Sequence, residues 1–301
     1  MSEGVDRVAV VGAGQMGCGI AHTISSKGIE VLIVEKDEES LKHSFELLEQ
    51  NLDREIQRWG MTESDKRAIM SRIRGTADKT QLADYQLVIE AVPEDMSIKS
   101  ALFHQLDVIL GPDTILVTNT SVLSVTELAS FTSRARQVIG MHFLHPVPKR
   151  PMVEIVRGLK TSDDTFEFVR KFAYDIGKNP IEVYESPGYV TTRVMLPMLN
   201  EAMYALMEGV ASEEGIDDAM RLGFHFEYGP LQLSDHMGLD EVLNWLESMF
   251  RETGDQKYRP CPLLRKLVRA GHLGAKTGKG FFVYDENGRR LHPSEDMIRP
   301  F

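Results

Sequence analysis

The sequence predicts an α/β protein. A doubly wound, mostly parallel sheet carries an inserted helical hairpin and is followed by an all-helical C-terminal domain. Three observations predict it. Short apolar runs alternate with helical patterns through the first 186 residues. A charged, helix-spaced stretch interrupts that alternation between residue 38 and about residue 74. After Ser186-Pro187-Gly188 the strand-like runs give way to long helical patterns. The domains are therefore expected at 1–186 and 187–301.

In chain order, residues 7–12 read as a buried strand, 14–27 as a helix closed by Gly28, and 29–35 as a second strand. Leu41, Phe45, Leu48, Leu52 and Ile56 recur at helical spacing. Trp59-Gly60 breaks that pattern, and Thr62-Glu63-Ser64-Asp65 begins a second helix. A plain doubly wound fold needs no such pair, so it reads as an insertion. Strands follow at 87–92, 114–118, 137–143, 152–156 and 181–184, with helices at 98–109 and 164–176. Downstream, helices are expected at 189–207, with a kink at Pro197, and at 213–222, 238–253 and 263–270. Met195, Met198, Met203 and Met207 read as core or interface. Asn287-Gly288 marks a turn between two short final strands.

The chain has 301 residues, enough for two domains, and a net charge of −11. Nonspecific nucleic-acid binding requires a basic face and is not expected. No apolar run is long enough for a bilayer, so no membrane partner is expected, and the N-terminus does not resemble a signal peptide. The two cysteines, Cys18 and Cys261, cannot form a disulfide framework, and a cytoplasmic setting is expected. Cys18 reads as a packing residue, with a redox-sensitive thiol as the alternative. No metal is expected.

Gly12-Ala13-Gly14-Gln15-Met16-Gly17 leaves a strand and opens a helix, the context that gives a GxGxxG its meaning. Gly12 allows the tight turn, Gly14 lets backbone approach a diphosphate, and Gly17 lets helix and strand pack closely. Gln15 and Met16 open the helix whose N-terminus faces the anion. Glu35 lies 18 residues after Gly17, where an acid accepts the adenine-ribose hydroxyls and repels a 2′-phosphate. A Rossmann-type domain with NAD, rather than NADP, is expected.

A strand ends at His142, and Glu154 lies twelve residues further, on the next strand. The intervening Pro146-Val147-Pro148 loop can return the chain so that the two meet. A carboxylate fixes an imidazole's tautomer and raises its basicity, which suits a general base facing a hydroxyl. A histidine at a strand end is also compatible with a satisfied structural group.

The stretches VAVVGAGQMGCGIA, LVIEAVPEDMSIKSALFHQLD, TILVTNTSVLSVTELA, VIGMHFLHPVPKRPMVEIV, SPGYVTTRV, YGPLQLSDHMGLD and GHLGAKTGKGFFVYD run nearly end to end. In that order they resemble the 3-hydroxyacyl-CoA dehydrogenase family, including the 3-hydroxybutyryl-CoA dehydrogenases. The resemblance implies NAD-dependent oxidation of an L-3-hydroxyacyl-CoA, or the reverse, and a homodimer formed through the helical domain. It assigns His142 to take the proton of the 3-hydroxyl and Glu154 to orient and balance it. Ser121 would hydrogen-bond the same oxygen, with a helix cap as the alternative. Glu94, Lys99 and Asn119 match positions near the nicotinamide ribose and the substrate. Lys99 is also compatible with a solvated helix face.

Two positions depart from the family pattern. His145 and Thr192 stand where the family usually has asparagines, and the second of these normally lies beside the catalytic histidine. Thr192 keeps a hydroxyl donor with shorter reach. His145 reads either as a second titrating group or as a structural replacement bonded to backbone. The CoA portion is expected past the hairpin, near Arg54, Arg58, Lys66 and Arg67, which are equally compatible with solvated surface. A dehydrogenase of a non-CoA hydroxy acid, such as a sugar acid, is the alternative enzyme. A weakly active NAD-binding structural or sensing protein is the alternative from another class.

Overall fold

The computed structural model describes residues 5–57 and 60–291. The chain divides into two compact units between Tyr189 and Val190, just beyond the Ser186-Pro187-Gly188 break.

The first unit opens with β1 (Arg7–Val11), α1 (Gln15–Ser25) and β2 (Glu30–Val34). The hairpin is α2 (Glu38–Gln57) and α3 (Glu63–Met70). Thr62 and Asp65 form a reciprocal capping box that starts α3. There follow β3 (Ile73–Thr76), β4 (Leu87–Glu90), α4 (Met96–Ile109), β5 (Ile115–Thr118) and α5 (Val125–Ser130). The unit ends with β6 (Val138–Phe143), β7 (Met152–Arg157), α6 (Asp163–Asp175) and β8 (Asn179–Tyr184).

The eight strands form one sheet in the order β3-β2-β1-β4-β5-β6-β7-β8. Every pairing is parallel except β6 with β7. Strand residues alternate between two cores because both faces are covered. Val8, Val10, Leu87 and Ile89 join the core beneath α1, α2 and α6. Ala9, Val11 and Val88 join the core beneath α4 and α5. Strand order reverses between β1 and β4, which places a crevice at their C-terminal ends.

The hairpin expected to run to about residue 74 is shorter than that. Residues 73–76 are the edge strand β3, paired in register with β2. Only Ile73 of this strand is buried, so periodicity carried no signal. Gly75 is what lets the strand lie under α2. A Cβ there would fall 2.5 Å from Phe45 and 2.6 Å from Leu41. Trp59 and Arg58, part of the expected break and phosphate-facing set, lie outside the described residues.

The second unit contains α7 (Thr191–Met207), α8 (Glu213–Phe224), α9 (Pro230–Met237), α10 (Leu239–Thr253) and α11 (Pro262–Arg269). Pro197 lies inside α7. A two-stranded hairpin, β9 (Val283–Tyr284) and β10 (Arg290–Leu291), closes the described chain. The short α9 escaped the sequence reading, and its Asp235 organises the glycine-rich segment that follows α11. Asp235 accepts the N–H groups of Phe281 and Phe282 and the hydroxyl of Tyr284. Gly274 and Gly280 are required beside it: a Cβ at either would fall 2.2 Å or less from an Asp235 oxygen. Burial pushes the Asp235 carboxyl up to about 6. Among the described residues no helix is long and apolar enough to cross a membrane.

Candidate active site

At the end of β1 the chain turns through Gly12, whose φ of +86° is open to glycine and rarely to other residues. A Cβ there would also press on Val92 and the Ala91 backbone. Gly17 is needed for contact: a Cβ would fall 2.0 Å from the Gly12 carbonyl oxygen. Gly14 differs from both. It caps α1, and a Cβ added to it would meet nothing within 4 Å. Space therefore exists above it for a group that approaches the backbone. The first intrahelical bond runs from the Cys18 N–H to the Gly14 carbonyl. The N–H groups of the preceding turn, at Gln15 and Met16, are left at the helix N-terminus, where an anion is favoured. These features fit a dinucleotide diphosphate.

Glu35 follows β2 and reaches the same turn. One of its carboxylate oxygens accepts the Ala13 N–H at 2.6 Å and the Ser44 hydroxyl at 3.2 Å. This carboxylate thus braces the glycine turn as well as supplying negative charge beside it. Cys18 is buried, and its thiol donates to the Ala13 carbonyl at 3.0 Å. Burial, with Glu35 adding to it, pushes that thiol up to about 12, so it is a packing residue and not a reactive thiolate.

The loop after β4 holds a charged network that the sequence only half revealed. Lys99 of α4 is completely buried, not solvated. Its ammonium lies 2.5 Å from Glu90 and 3.5 Å from Glu94. Glu90, also fully buried, additionally accepts the Thr118 hydroxyl and the Val92 N–H. Burial holds its carboxyl above the usual range, against the pull of Lys99. Glu90 was not singled out from sequence because it sits inside an apolar strand run. A single acid there carries no periodic signal.

Glu94 accepts the Thr120 hydroxyl and the N–H groups of Ser121 and Val122. It thereby shapes the turn that presents Ser121. The cap of α5 is Ser124, whose hydroxyl accepts the Glu127 N–H. The capping alternative for Ser121 is thus removed, and its hydroxyl bonds no other described residue. Asn119 accepts the Phe143 N–H at 3.1 Å, tying the end of β5 to the end of β6 beside His142.

The antiparallel register of β6 and β7 sets His142 directly opposite Glu154. The imidazole Nδ1 lies 2.7 Å from a Glu154 oxygen, and both side chains are buried. With Nδ1–H donated to the carboxylate, Nε2 is left as a proton acceptor. Tyr189 was missed by sequence reading. Its ring lies 5.7 Å from the His142 ring, and its hydroxyl donates to the Leu123 carbonyl at 2.8 Å. One side chain thus walls His142 and anchors the Ser121 turn. The only signal for it is its place after Gly188, since its own backbone has φ of +50°.

The loop between β6 and β7 is clamped from three sides. Lys178, buried, donates to the carbonyls of Val147 and Arg150. Lys149 pairs with Glu55 of α2 at 2.9 Å. Val147 packs on Gly19 of α1, where a Cβ would come within 3.1 Å. His145 is neither bonded to backbone through its ring nor paired with His142: its Nε2 lies 3.3 Å from the side-chain amide of Gln15. Thr192 lies in the first turn of α7, in the second unit. Of the basic residues expected near CoA, Lys66 is engaged with Asp53 at 2.5 Å, while Arg54 and Arg67 are exposed.

Residues 7–186 match the NAD binding domain of the 3-hydroxyacyl-CoA dehydrogenases, and residues 188–284 match their C-terminal domain. The chain belongs to the 3-hydroxyacyl-CoA dehydrogenase family. It is an NAD-dependent dehydrogenase of that class. It is 44% identical over 280 residues to a 3-hydroxybutyryl-CoA dehydrogenase of Clostridioides difficile, covering 93% of this chain and 100% of that one. It is 35% identical over 291 residues to the human mitochondrial hydroxyacyl-coenzyme A dehydrogenase, covering 93% and 91%. The crystal structure of (S)-3-hydroxybutyryl-CoA dehydrogenase from Ralstonia eutropha superposes with a TM-score of 0.87 at 42% identity, covering 94% and 100%. The resemblance seen in the sequence blocks thus extends to the fold of both units.

Proposed function

We propose that His142 is the general base of this dehydrogenase, held by Glu154, and that the substrate is a short-chain L-3-hydroxyacyl-CoA such as 3-hydroxybutyryl-CoA. The observation that carries the reading is the buried 2.7 Å contact between His142 and Glu154, one strand away from the Ser121 turn. Nε2 of His142 takes the proton from the 3-hydroxyl in oxidation and returns it to the carbonyl oxygen in reduction. Glu154 keeps the acceptor nitrogen turned outward and balances the imidazolium charge. Ser121 donates to the same oxygen.

Gly12, Gly14, Gln15, Met16 and Gly17 would hold the diphosphate of NAD, and Glu35 its adenine ribose. Glu94 and Asn119 would border the nicotinamide side, with Lys99 acting through Glu94. When bound, NAD accepts the hydride released from C3 of the substrate. The similarity of the C. difficile and R. eutropha enzymes, both named for 3-hydroxybutyryl-CoA, supports the short acyl chain.

A turnover screen tests the reading. Straight-chain L-3-hydroxyacyl-CoA thioesters and their CoA-free acids are assayed with NAD and with NADP. The C4 thioester is expected to turn over with the highest kcat/KM, and the CoA-free acid at least a hundredfold more slowly. NAD should exceed NADP by about tenfold or more, because Glu35 repels a 2′-phosphate. Equal rates with the free acid would instead support the non-CoA dehydrogenase. A ratio of NAD to NADP below tenfold would remove the role given to Glu35.

The second unit also supports a homodimer. Val194 of α7, Val210, Leu222 and Phe224 of α8, and Phe226 are apolar and exposed. Such side chains cluster at interfaces between copies of a chain. Sedimentation equilibrium should give twice the 33.9 kDa chain mass, and Phe224→Glu should shift the species toward monomer. A wild-type monomer at micromolar concentration excludes it. The two reduced, buried cysteines support a cytoplasmic setting.

A further inference from the structure

The contact between Gln15 and His145 joins two parts of the first unit that are 130 residues apart in the chain. Gln15 is the first residue of α1, at the diphosphate turn. His145 lies just beyond the end of β6, which carries His142. In the sheet, β4 and β5 lie between β1 and β6. The side-chain pair therefore spans the C-terminal ends of β4 and β5, on the α1 side. A dinucleotide running from the glycine turn toward His142 must cross those same strand ends.

The span is held in place at both ends. On one side α1 fixes the Gln15 backbone. On the other, the 146–150 loop is packed on Gly19 through Val147 and tied down by Lys178 and by the Lys149–Glu55 pair. The Arg150 side chain donates to the His145 carbonyl at 3.3 Å, and its charge faces the imidazole. From α1 the ring meets Gln15, which is uncharged. His142 and Glu154 are engaged with one another. His145 and Gln15 both keep an exposed face, and the protein packed against the rest of the ring, with Arg150 second, holds the imidazole below its ordinary pKa. The Gln15 amide nitrogen can only donate, so Nε2 of the neutral ring accepts its N–H.

We propose that Gln15 and His145 form a clasp across the cofactor cleft, in which His145 is a positioning residue that acts on dinucleotide affinity through Gln15. The inference rests on the placement of NAD at the glycine turn given above. It assigns His145 to the cofactor rather than to proton transfer or substrate choice. An imidazole reaches further than the asparagine that the family usually carries at this position, and the neutral ring offers the amide an acceptor.

The test is a double-mutant cycle read by NADH fluorescence titration of the enzyme without substrate. His145→Ala and Gln15→Ala should each weaken NADH binding by about three- to tenfold, the worth of one hydrogen bond. The double variant should be no weaker than the weaker single variant. His145→Gln, which restores an acceptor of similar reach, should return the affinity to within about twofold. The KM for the acyl-CoA and the melting temperature of the unliganded variants should stay at wild-type values. Independent, multiplicative effects, unchanged affinity in either alanine variant, or an equal loss in melting temperature would overturn the clasp. Failure of the wild-type protein to bind NADH would instead overturn the placement of the dinucleotide itself.

Discussion

Replacing His142 with alanine is expected to lower kcat by roughly 10²–10⁴-fold while leaving NADH affinity within about twofold. The strand end that carries His142 is set by backbone pairing with β7 and by the Asn119 bond to Phe143, neither of which needs the imidazole. The loss is therefore chemical, not structural. Glu154→Gln separates orientation from basicity. A glutamine amide can donate to Nδ1, which turns the imidazole to the tautomer bearing its proton on Nε2. That variant should lose on the order of 10²-fold or more in kcat, with the acyl-CoA KM nearly unchanged. Retention of wild-type kcat by His142→Ala would remove the base from this site. It would also return the weakly active, NAD-binding alternative to first place.

The second large effect is on stability. Lys99→Met should destabilise the first unit by about 3–5 kcal/mol, because it leaves the fully buried Glu90 carboxylate without its cation. On the order of 10 °C in the melting of that unit corresponds to this loss. The loss should depend on pH with a definite sign. Burial already holds Glu90 above the usual carboxylate range, and Lys99 is what pulls it back. Without Lys99 the folded-state pKa rises further above that of the unfolded chain. The protonated carboxyl then favours the folded state. That contribution is present in acid and is lost as pH rises from the ordinary carboxylate range through the folded pKa. The variant should therefore melt closer to wild type at about pH 5.5 than at about pH 8. Adding Glu90→Gln to Lys99→Met should recover most of the stability. The Val92 N–H can still donate to the amide oxygen, the Thr118 hydroxyl can turn to accept from the amide NH2, and Glu94 keeps its own three donors. A double variant no more stable than Lys99→Met would show that the cost lies in packing and not in charge.

The two effects arise at the ends of β4 and β6, with β5 between them, and need not be confused. Lys99 supports the turn that presents Ser121 only through Glu94. A melting curve reports its loss, whereas the loss of His142 is reported by kcat.

Much of the first unit was legible because the constraints there are local. Gly12 turns at positive φ, Gly17 must clear the Gly12 carbonyl, and Gly14 leaves open space. Each demand falls on one residue at a fixed offset, so the glycine pattern carries it. Strands buried on both faces read as apolar runs, and Val8 to Val11 fill two cores in alternation. The ordered blocks of sequence named the family, and the match of both units agrees with it.

What remained illegible depends on residues far apart in the chain. The meeting of Glu154 with His142 was expected from the loop between them, but the antiparallel register is what fixes it, since a slip by one residue would have turned Glu154 to the other face. Residues 73–76 became a strand because β2 offered an edge and Gly75 made room for Phe45 and Leu41, not because of any pattern of their own. Lys99 looks like any helix lysine until Glu90 and Glu94 are placed around it. Whether such a cation is solvated or buried is decided by what surrounds it. His145 follows the same logic: its departure from the family pattern was visible in the chain, but its partner was not. By itself the sequence determined the glycine turn, the alternation and the chemistry-bearing side chains, all of which obey short-range rules. Only the tertiary structure decided which of those side chains share charge and hydrogen bonds, because strand register and desolvation are set by the whole packed unit.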